Sequence, residues 1–168
     1  ATQYNGRRRY LYLDKKSVRR CYENSCKKLG VNKLSAYLLH SCFSNYVKAY
    51  KELIELYNEG AVGAIGVCNA DINQLTNIKE ACGQYPMINQ IEVHPFCNRI
   101  KLRNFCRDNG IVIMAHSPFA HGDAMKELLE NDILQRIATK HNKSVAQIIL
   151  KWIIQQNMIV IPRSTNSN

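Results

Sequence analysis

INQIEVHP (88–95) sets a glutamine and a glutamate inside what otherwise reads as a buried apolar strand. Polar groups persist in such places when they find hydrogen-bonding partners, so the stretch is read both as a strand and as a pointer to a site. Similar runs flank it. SAYLLHS (35–41) and GAIGVCN (63–69) precede it, and GIVIMAHSPFA (110–120) and MIVIPRS (158–164) follow, each a short apolar run that closes on polar residues. Segments with helical period fill the gaps. The first, capped at Asp14 or Ser17 and ending at Gly30, places Val18, Cys21, Tyr22, Cys26 and Leu29 on one face. A second starts at Asn45, stops at Gly60 and turns Val47, Tyr50, Leu53, Ile54 and Tyr57 inward. A third, Asp71 to Gly83, offers Ile72, Leu75, Ile78 and Cys82, and a fourth spans about 99–110. Two more are expected, at 132–140 and after a capping box of Ser144 and Gln147, with Ile148, Ile149, Trp152 and Ile153 inward.

Apolar strands separated by amphipathic helices imply right-handed βαβ units and a parallel sheet covered by helices. Such a sheet is either open and doubly wound or closed into a (β/α)8 TIM barrel, and in both the chemistry gathers at the carboxyl ends of the strands. Those ends are His40, Cys68 with Asn69, His94, His116 with Ser117, and Arg163 with Ser164. Five strands, or six if ATQY (1–4) closes another, fall short of the eight a barrel needs. The expectation is therefore an open sheet or part of a longer polypeptide.

At 168 residues and 46% hydrophobic, the chain has material for one domain with a core. Seven cysteines without a Cys-x-x-Cys pair argue against a disulfide framework and a zinc module, and favour buried thiols; no metal site is expected. The absence of a long apolar run or a signal-like start favours a soluble, cytoplasmic protein. A net charge of +10, concentrated in the first 33 residues, suits anionic partners. Nucleic acid is disfavoured among these, since the aromatic platforms of single-strand binders are missing.

GAIGVCN, INQIEVHP, GIVIMAHSPFA and IVIPRSTNSN, in this order and at these separations, resemble the successive strand motifs of the aldo-keto reductases. These are (β/α)8 barrels that reduce carbonyls with NADPH. The likeness runs from about residue 17 to the end and corresponds to the barrel from about its third strand to its eighth, as a single partial barrel domain over 1–168. It implies that His40 is the active-site histidine orienting a small carbonyl substrate. Asn69 and Gln90 take the places that hydrogen-bond the nicotinamide carboxamide, which would explain an amide in a buried strand. Cys68 stands where the family usually has serine, and His116 where a tyrosine commonly stacks on the nicotinamide. Ser117, Pro118 and Phe119 match the turn that approaches the diphosphate. Arg163 replaces a lysine, and its planar fork suits a 2′-phosphate, with Ser164 and Asn166 assisting.

The family's tyrosine and aspartate are expected upstream of residue 1, and Gln3 falls where its lysine would sit; glutamine cannot supply that positive charge. Three expectations follow. The first is an NADP(H)-dependent reductase of an aldehyde or ketone, as part of a longer chain. The second is a catalytically impaired relative acting as a cofactor-binding or structural subunit. The third is a basic protein that associates with nucleic acid through the Arg7 to Arg20 region.

Overall fold

A computed structural model describes residues 15–163, with side chains from Val18 onward. Gln3, the Arg7 to Arg9 cluster, Asp14, Ser164 and Asn166 lie outside the described residues, as do the side chains of 15–17. Strands and helices alternate as the sequence pattern demands: α1 (Lys15–Leu29), β1 (Tyr37–Leu39), α2 (Tyr46–Asn58), β2 (Ile65–Cys68), α3 (Ile72–Cys82), β3 (Ile88–Glu92), α4 (Ile100–Asp108) and β4 (Val112–His116). Three helices follow in succession, α5 (Gly122–Leu129), α6 (Asp132–His141) and α7 (Val145–Ile154), before β5 (Ile159–Val160).

The five strands form one parallel sheet in chain order, β1-β2-β3-β4-β5. This is the order of a consecutive arc of a (β/α)8 barrel and not the reversing order of a doubly wound sheet. Cys68, Gln90 and Met114 are register partners across β2, β3 and β4, and Glu92 is the partner of His116. Because side chains alternate faces along a strand, these residues share one side of the sheet. The alternate set, Ile65, Val67, Asn89, Ile91, Ile113 and Ala115, is buried with the inward residues of the helices, among them Tyr50, Leu53, Leu56, Leu75, Ile78, Ile149 and Ile153. Gly66 allows β2 and β3 to close up. A Cβ there would run into the Ile88 carbonyl oxygen and lie 2.8 Å from Ile88 Cβ.

Several expectations about the helix faces need correction. Cys21, Leu29, Tyr57 and Ile72 are exposed, whereas Ala49, Glu52 and Leu56 are buried. The apolar strip of α1 is narrow. It is carried by Val18 and Tyr22, and the Tyr22 hydroxyl donates to the carbonyls of Asn32 and Ala61. Glu52 survives burial because Arg19 Nε donates to it at 3.0 Å, while the same guanidinium grips Glu59 with its other two nitrogens. All seven cysteines are free, but only Cys68 and Cys106 are buried.

Asn45 precedes α2 as expected but adopts a left-handed backbone and makes no side-chain cap. The Ser144–Gln147 capping box forms as read, with a second one at Asp71–Gln74. Helix α5 has no counterpart in the sequence reading. It is eight residues long, starts on a glycine, has no side-chain cap and buries only Leu128. Among the described residues no helix is long and apolar enough to cross a membrane.

Candidate functional site

Parallel order brings all the strand ends to one edge of the sheet, where the loops after β2, β3 and β4 are held by specific contacts. Asn69, the first residue past β2, turns left-handed (φ 57). Asparagine tolerates this conformation better than most residues. Its backbone N–H donates to the Gln90 carbonyl at 2.8 Å. The next residue is fixed from behind: Asn89, fully buried, accepts from Ala70 N–H at 3.3 Å and donates to the Ala70 carbonyl at 3.0 Å. A single side-chain amide thus satisfies both backbone polar groups of one buried residue. Gln74 of the α3 capping box then donates to the Cys42 carbonyl at 3.0 Å and ties the loop after β2 to the loop after β1.

His116 sits at the centre. Its Nε2 lies 3.1 Å from Asn69 Oδ1 and its Nδ1 lies 2.8 Å from Ser117 Oγ, which in turn lies 2.5 Å from His121 Nε2. Burial lowers the His116 pKa. Glu92 opposes that shift, while His121, His40 and Arg99 reinforce it. The histidine after β1 is therefore near enough to act on the imidazole after β4. Ser117 is also left-handed (φ 50), and its carbonyl accepts from Ala120 N–H at 2.9 Å, closing a tight turn over buried Pro118, with Phe119 packed against the core.

Gln90 donates from Nε2 to Met114 Sδ at 3.1 Å. Sulfur is a weak acceptor. Neither Gln90 Oε1 nor Asn69 Nδ2 engages a described residue. Burial pushes the neighbouring Cys68 thiol up to about 11, so it remains a neutral, weak donor. Glu92 faces the same side and lies 3.3 Å from Nε2 of buried His94, whose Nδ1 meets no described partner.

The structure therefore clusters Cys68, Asn69, Gln90, His116 and Ser117, with His40 close by. Arg163 is exposed beyond β5, on the same edge of the sheet because Ile161 N–H continues the pairing to Ala115, and it forms no hydrogen bond with the clustered residues. A cavity of about 670 Å³ lies to the side, between Asp71 to Asn73 and Arg99 to Leu102, and includes none of the clustered residues. Among the described residues no group of three His, Cys, Asp or Glu could hold a metal ion.

Sequence reasoning missed Asn89 and His121. Asn89 was masked by Gln90 beside it, and a strand's alternation could have flagged it as the polar residue on the helix-covered face. His121 lies four residues past Ser117, across a tight turn that the Ser-Pro pair could have suggested.

The Aldo/keto reductase family model matches residues 9–168. The chain belongs to this family. It is 40% identical over 146 residues to the 9,11-endoperoxide prostaglandin H2 reductase of Trypanosoma cruzi, covering 86% of this chain and 51% of that protein. With the glyoxal reductase of Bacillus subtilis it shares 38% identity over 144 residues, 85% of this chain and 51% of the relative. Among solved structures, the Bombyx mori aldo-keto reductase in complex with NADP superposes with a TM-score of 0.83 at 30% identity, over 91% of this chain and 55% of that one. The chain spans about half the length of these aldo-keto reductases.

Proposed function

We propose that the full polypeptide carrying this chain binds NADP(H) and reduces an aldehyde or ketone to an alcohol. The observation that carries the reading is a pair of amides, Asn69 just past β2 and Gln90 within the adjacent β3. Asn69 leaves an N–H donor, and Gln90 leaves a carbonyl acceptor, that no described residue uses. Together they complement a primary carboxamide, which carries one acceptor and one donor of its own. The residues present therefore fit the nicotinamide end of the cofactor.

Asn69 and Gln90 would hold the carboxamide, with Cys68 as a weak third partner and the His116 ring alongside. The turn of Ser117, Pro118 and Phe119 would approach the diphosphate. Arg163, with Ser164 and Asn166, would take the 2′-phosphate. When bound, the cofactor supplies hydride chemistry. His40 would direct the substrate carbonyl. The relatives lend support, since one is named a glyoxal reductase and another is solved with NADP.

The test is a titration of the full polypeptide with NADP+ and NAD+. Tighter binding of NADP+, lost in Arg163→Ala, is expected. Equal affinity for the two dinucleotides before and after the substitution would defeat the cofactor assignment. Steady-state assays with an aldehyde and ketone panel then test turnover, and no reduction of any member would refute the catalytic part.

A further inference from the structure

The three contacts 2.5, 2.8 and 3.1 Å long that join His121, Ser117, His116 and Asn69 form a continuous chain. Each contact takes one proton, so with neutral imidazoles three arrangements are open. In one, His121 Nε2–H donates to Ser117 Oγ, Ser117 O–H donates to His116 Nδ1, and His116 Nε2–H donates to Asn69 Oδ1. The Asn69 NH2 group then faces outward. In the other two, His116 donates from Nδ1 to Ser117, which either donates on to His121 or accepts from both rings; His116 Nε2 then accepts from Asn69, which turns its oxygen outward. Gln90 breaks the tie: its NH2 group is turned toward Met114, so its oxygen is the atom left without a described partner. The first arrangement gives a donor beside an acceptor, whereas the other two give two acceptors, which match only half of a carboxamide.

We propose that His121 and Ser117 are positioning residues which, through His116, set the side-chain amide of Asn69 with its NH2 group toward the ligand. The inference rests on the assignment of Asn69 as a carboxamide ligand. It assigns work to a histidine outside the strand motifs and gives a purpose to the imidazole at position 116. A phenol can donate to Asn69 only from the hydroxyl at its tip, whereas an imidazole relays a hydrogen bond through the ring, accepting at one nitrogen and donating at the other. Glu92, His40, His121 and Arg99 are the titratable or charged groups that act on this imidazole. The exposed end of the chain at His121 makes it open to substitution without disturbing the core.

Two measurements on the full polypeptide test the proposal. First, nitrogen-15 NMR of the unliganded protein should show His116 protonated at Nε2 and bare at Nδ1, with Ser117→Ala shifting it toward a mixture of tautomers. A His116 protonated at Nδ1 overturns the inference. Second, dissociation constants are measured for NADP+, for its 3-acetylpyridine analogue, which keeps the carbonyl but lacks the NH2 group, and for adenosine 2′,5′-bisphosphate, which lacks the nicotinamide end.

His121→Phe and Ser117→Ala should weaken NADP+ and the acetylpyridine analogue alike, by about three- to tenfold, the worth of one hydrogen bond. Adenosine 2′,5′-bisphosphate should bind His121→Phe as it binds wild type, which a general structural loss would not allow. His121→Gln, whose amide can still donate to Ser117, should restore most of the affinity. Weakening of NADP+ alone, with the acetylpyridine analogue untouched, means that the chain runs the other way and overturns the proposal. Unchanged binding of all three probes in both variants also overturns it while leaving cofactor binding intact. Failure of every probe to bind wild-type protein sinks the functional reading itself, and the carboxamide role of Asn69 with it.

Discussion

Asn89→Ala isolates the contact that holds the loop after β2 in place. The substitution removes an acceptor 3.3 Å from Ala70 N–H and a donor 3.0 Å from the Ala70 carbonyl, at a position with no solvent access. Ala70 is itself buried, so both of its backbone groups lose their partners without gaining water. A net hydrogen bond contributes about 1 kcal/mol, and stranding a buried polar group costs about 1–3 kcal/mol. Relaxation of the loop recovers part of this, which leaves an expected loss of about 2–4 kcal/mol. Urea denaturation of the full polypeptide should show a lower midpoint at an unchanged slope. Because Asn69 directly precedes Ala70, NADP+ affinity should fall in the same variant, and Asn89→Asp should not rescue it, since a carboxylate faces the Ala70 carbonyl with nothing to donate. A stability loss below about 0.5 kcal/mol would show that the loop does not depend on this amide, and would refute the reasoning.

Gly66→Ala should destabilise by roughly 2 kcal/mol or more by denaturant melts, because the new methyl meets the Ile88 carbonyl across the strand pair. A neutral result would mean that β2 and β3 can part at no cost. Arg19→Met keeps the aliphatic stem but leaves the buried Glu52 carboxylate without its guanidinium. Since Arg19 is partly exposed, the expected loss is about 1–3 kcal/mol, and adding Glu52→Gln should recover part of it. No recovery would place the loss elsewhere. Burial lowers the His116 pKa below its ordinary 6.5. The unfolded chain therefore binds this proton first, so stability falls as pH drops through 6.5 and the loss levels off below the lowered value. The pH–stability slope of wild type minus that of His116→Gln reports this contribution, and a difference of opposite sign would contradict it.

The alternation of strands and helices was legible because it is written in local periodicity, and the strand ends followed from it. So were the inward faces of α7 and the capping box at Ser144, whose determinants lie within a few residues of one another. What escaped depends on partners distant in the chain. Asn89 reaches Ala70 across 19 residues, and Glu52 is a buried charge only because Arg19 arrives from another helix. Exposure of Cys21 and Leu29 reflects how small a part of α1 meets a neighbour, which no helical wheel reports. His116 stands where the family's stacking tyrosine would be. Its link to Asn69 joins the ends of β2 and β4, two strands that are not neighbours in the sheet, and no pattern along the chain encodes it.

The sequential strand order bears on how this architecture assembles. Each of the first four strands finds its partner one helix away, so those pairings close short loops and can form unit by unit at modest entropic cost. The β4–β5 pairing is different, because α5, α6 and α7 intervene and β5 contributes only two residues. It is the longest closure among the described strands, which predicts that the Ile159–Val160 strand docks late in folding, and Arg163 with it.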